Sequence, residues 1–146
     1  MIRSILAVVA GLVALTIVSF AIEAAADPLL MRLFPGALPD AAALGANIPA
    51  RLFMLAYTTF AIAVGGYVTA WIARRSRVTH AAIMGALEVA FTLYVMIAMP
   101  FVEAHPAPRW VGITGIILII PAACLGAALR ARRAPSMSTE STVPMR

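Results

Sequence analysis

Four long apolar runs dominate this chain, and their length most constrains what it can fold into. Each run holds about 20 residues, the number that crosses an apolar bilayer core roughly 30 Å thick as a helix. The runs extend from Ser4 to Ile22, Leu52 to Ala73, His80 to Phe101 and Trp110 to Leu129. Because every backbone polar group must be hydrogen-bonded inside a bilayer, the runs predict an all-α bundle of four transmembrane helices.

Composition favours a membrane-embedded chain over a soluble domain. Hydrophobic residues make up 63% of the sequence and charged residues 12%, against roughly 45–50% and about 25% in a soluble domain. We expect one transmembrane domain over residues 1–133, with helices at about 4–22, 52–73, 80–101 and 110–129 and an outer loop at 24–50. The Ser/Thr/Pro-rich segment 134–146 has too little apolar surface to fold, so it is predicted to be a disordered cytoplasmic tail.

The basic residues, all of them arginines, flank the apolar runs unevenly. If the runs alternate in direction, one side of the membrane carries Arg3, Arg74, Arg75, Arg77, Arg130, Arg132 and Arg133. The other side carries Arg32, Arg51 and Arg109 together with Asp27, Asp40 and Glu103. The positive-inside rule then places both termini in the cytoplasm, in a multi-pass protein of a bacterial inner membrane. The arginines are expected to contact anionic lipid head groups, and no basic stripe with interleaved aromatics indicates nucleic-acid binding.

The first run has two interpretations. Arg3, the apolar stretch and Ala24-Ala25-Ala26 before Asp27 imitate a cleavable signal peptide. However, the apolar run is longer than the usual core of 7–15 residues in such a peptide, which favours a retained helix. Both interpretations stay open at the level of sequence.

The connections between the runs differ in kind. Arg74 to Thr79 predicts a tight turn that makes the second and third helices an antiparallel hairpin, and Pro106 and Pro108 predict a short rigid turn. In the longer segment 24–50, Asp27-Pro28 has the pattern of an N-cap followed by proline at the first helical position. A short helix on the outer membrane surface is therefore predicted after Asp27, ending at Pro35-Gly36.

Small residues four apart recur on all four predicted helices. Such pairs let helix backbones approach each other closely. Close packing matters in a bilayer because the hydrophobic effect does not drive helices together there. The pairs are Ala7/Gly11, Ala61/Gly65, Gly66/Ala70, Ala81/Gly85 and Ala122/Gly126. We assign Gly65, Gly66, Gly85 and Gly126 to helix packing. Pro121 is predicted to bend the fourth helix, either as a fixed structural kink or as a gating hinge.

Glu88 is the one acidic residue deep inside a predicted helix. A charge there costs at least about 2.5–3.5 kcal/mol, which makes such a residue a candidate for function. Its depth suggests a slot opened by Gly65 and Gly66, with Thr16, Tyr67 or Thr92 as hydrogen-bond partners. Glu88 is interpreted as a protonated group that hydrogen-bonds between helices, and the alternative is a proton or cation site of a small transporter or channel subunit.

The sequence offers no set of catalytic residues. No Ser/His/Asp group, paired-carboxylate site, phosphate-binding glycine loop or metal-ligand spacing is visible, and the single cysteine, Cys124, lies in an apolar run. We therefore expect no enzyme activity, no cofactor and no metal.

Two stretches carry a resemblance to known sequences. They are Gly65 to Arg74, followed by His80-Ala81 and Gly85, and Pro108-Arg109-Trp110 with Ile120-Pro121-Ala122 and Leu125 to Arg130. Together they resemble a family of small bacterial four-helix inner-membrane proteins of uncharacterised function. The resemblance covers the last three helices and implies the same architecture, with no functional residues to carry over. The expected partners are the lipid bilayer and either a second copy of the chain or a larger membrane complex.

Overall fold

Helices account for all the regular structure in the described part of the chain. The computed structural model describes residues 2–73, 75–98 and 109–133. Its helices are α1 (Ile2–Leu33), α2 (Ala41–Ala46), α3 (Ile48–Ile72), α4 (Arg77–Ala98) and α5 (Arg109–Arg132). Four of them, α1, α3, α4 and α5, are long and apolar enough to cross a membrane. The prediction of an all-α, four-span membrane protein is thus confirmed, while the predicted Pro106–Pro108 turn and the tail 134–146 lie outside the described residues.

The first helix is longer than expected, and the interpretation of Asp27-Pro28 as a helix start was wrong. α1 continues through Pro28, which lies inside the helix and deprives the Ala24 carbonyl of its usual N–H donor. Asp27 therefore caps nothing, and its Oδ1 atom is buried without a hydrogen-bond partner. The extension persists because Leu30 and Met31, beyond the proline, pack on a separate apolar cluster. Contact with that cluster offsets the local cost of the proline.

That cluster forms a small cap over one end of the bundle. Its buried members are Leu38, Leu44 and Ala50, so it joins the end of α1, the short α2 and the start of α3. Asp40 begins α2, since its carboxylate accepts a hydrogen bond of 2.7 Å from the Ala43 N–H. Asn47 caps α3 in the same way through the Ala50 N–H at 3.1 Å. We call this end of the molecule the α2 end.

The opposite end holds the first residues of α1 and the turn between α3 and α4, and we call it the turn end. Ser76 in this turn has a φ of 50°, a left-handed conformation that is strained for a residue with a side chain. Its carbonyl oxygen accepts the His80 N–H at 3.1 Å, which starts the hydrogen bonding of α4. The hairpin expected between the second and third spans is therefore built on a Ser76 turn.

α3 lies at the centre of the arrangement and contacts α1, α4 and α5. Within the described ranges, no Cα atom of α1 lies within 8 Å of a Cα atom of α5. α3 and α5 run in the same direction: Gly115 faces Leu55 towards the α2 end, and Gly126 faces Ala63 towards the turn end. The four spans thus alternate in direction along the chain, and α5 finishes at the turn end.

This arrangement separates the charged residues between the two ends. The turn end carries Arg3 and Arg75, which line one pocket. The end of α5 adds Arg130 and Arg132, and Arg133 follows the helix. Asp27, Asp40, Arg32 and Arg51 belong to the α2 end. Between them the outward side chains are large and apolar, as shown by Ile17, Phe60, Phe91 and Ile117, each more than half exposed. An apolar belt between two polar ends is the surface of a membrane-spanning bundle.

Candidate functional site

The centre of the bundle is a packed junction of α1, α3 and α4. Gly11 and Gly65 bring the backbones of α1 and α3 together, because a Cβ atom on Gly65 would lie 2.8 Å from the Gly11 carbonyl oxygen. Thr69 and Met84 fill the space beside them, and both side chains are fully buried. The Thr69 hydroxyl donates a hydrogen bond of 3.0 Å to the Gly65 carbonyl oxygen and lies 3.4 Å from Met84 Sδ. The junction is held by close packing and satisfies its one buried hydroxyl locally.

A second close contact joins α3 and α5. A Cβ atom on Gly66 would collide with the carbonyl group of Ala123, and one on Gly126 would collide with the carbonyl oxygen of Ala63. Gly85 of α4 meets α5 less tightly, since its Cβ position lies 3.3 Å from Ile120 Cα. Gly65, Gly66, Gly85 and Gly126 therefore all lie where one helix backbone or side chain approaches another. None of them opens an empty space.

The slot proposed for Glu88 is consequently filled. Gly65 is covered by Gly11 and Leu15 of α1, and Gly66 is covered by Ala123 of α5. Glu88 itself is half-buried and lies one helical turn from Met84 on the same face of α4. Thr92, one turn further on, is also half-buried. These two residues share a face of α4, as their spacing predicted.

The other two candidate partners point elsewhere. Thr16 is exposed, and its hydroxyl donates to the Leu12 carbonyl oxygen of its own helix at 2.9 Å. Tyr67 lines a groove between α3 and α5 to which α4 contributes no residue. The predicted grouping of Glu88 with Thr16 and Tyr67 therefore does not form.

The groove that contains Tyr67 is a large concave feature on the membrane-facing surface of the described helices. It has a volume of about 610 Å³ and runs along α3 from Ala56 to Tyr67 and along α5 from Leu118 to Leu129. Its floor is made of small residues, Ala63, Ala122 and Gly126, and Phe60 and Leu125 stand at its exposed edges. Pro121, the proline inside α5, also lines it. The predicted kink position thus lies on the wall of a groove that opens towards lipid.

Polar side chains are few among the described residues that line this groove. Thr59 lines the groove, and its hydroxyl donates a hydrogen bond of 2.6 Å to the Leu55 carbonyl oxygen. Tyr67 contributes the other hydroxyl, and no charged side chain of the described helices lines the groove. A surface of this kind offers apolar shape and close backbone approach, which are the features that bind a transmembrane helix.

The potential metal-ligating side chains of the described residues do not cluster. No group of three or more His, Cys, Asp or Glu side chains lies close enough there to hold a metal ion. Cys124 is a free, partly buried thiol on α5. Comparison with known protein families, with curated proteins and with solved structures finds no match to this chain.

Sequence reasoning missed Thr69 and Met84, the two largest fully buried side chains in the described part of the bundle. Thr69 lies four residues after Gly65, so the spacing of small residues that identified Gly65 also extends to it. Met84 precedes Gly85 and carried no signal of its own, because a methionine in an apolar run is compatible with lipid or core. Only the tertiary structure identifies it as the side chain that fills the junction.

Proposed function

We propose that this protein acts through helix–helix association, with a second copy of itself or with another membrane protein, and that it is not an enzyme. The observation that carries the proposal is the α3/α5 groove, with its floor of small residues and its open side towards lipid. Helix association in a bilayer depends on such close approach, because lipid tails are as apolar as leucine. A helix about 10 Å wide that entered the groove would contact both α3 and α5.

The packed junction supports association over transport. Gly11, Gly65, Thr69 and Met84 close the space between α1, α3 and α4. A proton or cation site at Glu88 requires a polar path from that side chain to water, and Met84, one turn away on the same face, is apolar and fully buried. The helix-packing role of Glu88 is therefore the one we retain.

For orientation we propose that the turn end is cytoplasmic, in a bacterial inner membrane. The cluster of arginines at that end supports this placement by the positive-inside rule, as does the resemblance to small bacterial inner-membrane proteins. We also propose that α1 is kept as a transmembrane helix and is not cleaved as a signal peptide. The positions of Val8 and Leu15 of α1 in the hydrophobic core of the bundle support this.

The orientation is tested by labelling two single-cysteine variants in a chain with Cys124→Ser. Ser76→Cys should react with a membrane-impermeant reagent from the cytoplasmic side, and Ala37→Cys should react from the outer side. Labelling of Ser76→Cys from the outer side would show that the orientation is the opposite of the one proposed.

The groove proposal predicts a specific effect of filling it. Leu125→Trp places a large ring at the groove edge and should weaken association by at least about tenfold, because blocking an interface centre removes its main contacts. Association with a second copy is measured by energy transfer between labelled chains in liposomes, and association with another protein by co-purification in mild detergent. Both readouts are taken for wild type and variant.

Leu87→Trp is the matched control. Leu87 lies on α4 and is 48% exposed, against 58% for Leu125, and it lies outside the groove. This variant should associate as the wild type does. Equal association of Leu125→Trp and wild type would show that association uses a surface other than the groove, and a wild type that associates with nothing would contradict the proposal.

A further inference from the structure

A small polar pocket lies at the turn end, away from the α3/α5 groove. The start of α1 and the turn between α3 and α4 enclose about 220 Å³, lined by Arg3, Ser4, Ala73, Arg75, Ser76 and His80. Five of these six residues carry polar side chains. The pocket therefore differs in chemistry from the apolar groove.

Positive charge in this pocket has no acidic residue beside it among the residues that the structure describes. No described Asp or Glu lines it, and neither residues 1–22 nor residues 71–87 contain one. Two arginines from different segments of the chain, Arg3 and Arg75, line the pocket. Guanidinium groups bind phosphate oxygens through paired, charge-assisted hydrogen bonds, and here the serine hydroxyls can add further donors.

The histidine of the pocket has a defined orientation. His80 Nδ1 lies 2.9 Å from the Ser76 carbonyl oxygen. A carbonyl oxygen can only accept, so Nδ1 carries the hydrogen and donates it. The second ring nitrogen, Nε2, is then left to accept a hydrogen from a protonated phosphate oxygen or, in the imidazolium form, to donate one. The same contact fixes Ser76, which carries the strained φ of 50°.

We propose that this pocket binds the phosphate group of an anionic ligand. Arg3 and Arg75 supply the charge, Ser4 and Ser76 supply hydroxyl donors, and His80 closes one wall. The pocket lies at the ends of the apolar spans α1, α3 and α4, which is the level of lipid head groups. The phosphate can therefore belong to an anionic phospholipid or to a small phosphate in solution, and the two sources are separated by experiment.

The test measures binding of two probes to the full chain in neutral detergent by native mass spectrometry. One probe is a short-chain phosphatidylglycerol and the other is inorganic phosphate, with a short-chain phosphatidylcholine as the zwitterionic reference. Wild type should bind at least one of the two anionic probes. Binding of the lipid alone identifies a head-group site, and binding of inorganic phosphate identifies a site for phosphate in solution.

Arg75→Gln should weaken binding of that probe by about tenfold or more, because one charge-assisted contact is lost. Arg75 is exposed, so the fold should persist, as checked by thermal unfolding. Arg132→Gln removes the same charge from the same end of the molecule but outside the pocket, and it should bind as wild type does. Equal losses in the two variants would mean general attraction to a basic surface, and no binding of either anionic probe by wild type would also overturn the proposal.

Discussion

Gly126→Ala is expected to lower the free energy of unfolding by about 3 kcal/mol, the upper part of the usual range for overpacking. The added Cβ would collide with the Ala63 carbonyl oxygen and lie 2.9 Å from the Tyr67 backbone nitrogen. Backbone atoms cannot rotate away as a side chain can, so α3 and α5 must separate along their contact. Gly66→Ala should act in the same direction, because its Cβ would collide with the carbonyl of Ala123.

Gly112 provides the matched control for this prediction. It lies on α5 as Gly126 does, but a Cβ atom there meets no atom of the described residues within 4 Å. Gly112→Ala should therefore stabilise the protein by up to about 1 kcal/mol, through the better helix propensity of alanine. Unfolding in mixed micelles with increasing denaturing detergent measures both variants. Shifts of the same sign for Gly126→Ala and Gly112→Ala would show that α3 and α5 do not meet at Gly126.

Met84→Ala is expected to cost at least about 2 kcal/mol, because truncation of a buried methionine leaves a cavity that its surroundings only partly fill. Met84 is fully buried, and its sulfur lies near both Gly65 and Thr69. In a bilayer this loss of stability comes mainly from lost packing contacts. Helix association there removes little apolar surface from water, so the hydrophobic effect contributes little. The same detergent-unfolding measurement applies.

Met96 is the control for that variant. It lies on the same helix and is 44% exposed towards the surroundings. Met96→Ala removes the same atoms without emptying a core position, so its unfolding should stay within about 0.5 kcal/mol of the wild type, as is usual for surface substitutions. A Met84→Ala variant as stable as Met96→Ala would contradict the junction of α1, α3 and α4.

The four spans could be predicted from sequence because a bilayer demands helices of a set length. The exception was the end of α1, where Pro28 follows Asp27 as it would at a helix start. Local pattern could not show that Leu30 and Met31, beyond the proline, would pack against Leu38 and Leu44. The end of α1 is therefore determined by contacts of Leu30 and Met31 with residues further along the chain.

The surroundings of Glu88 could not be predicted because depth along a helix does not determine direction around it. Tyr67 is two residues from Gly65, which turns its side chain about 200° around α3 at 3.6 residues per turn. It therefore faces the α5 groove, while Gly65 faces α1 and Met84. Thr69, four residues from Gly65, returns to the same face and is the residue that meets α4. The direction in which each of these side chains faces depends on how the helices pack together, and the sequence alone does not show that packing.

Photocrosslinking in native membranes tests the proposed role of the α3/α5 groove most directly. A photoreactive amino acid is placed at Leu125, on the groove edge, and in a separate chain at Leu87, on the exposed face of α4. We predict that Leu125 yields a discrete protein adduct, whose mass distinguishes a second copy of this chain from another protein, while Leu87 yields lipid adducts. Lipid adducts alone at Leu125, or the same protein adducts at both positions, would contradict helix binding in the groove.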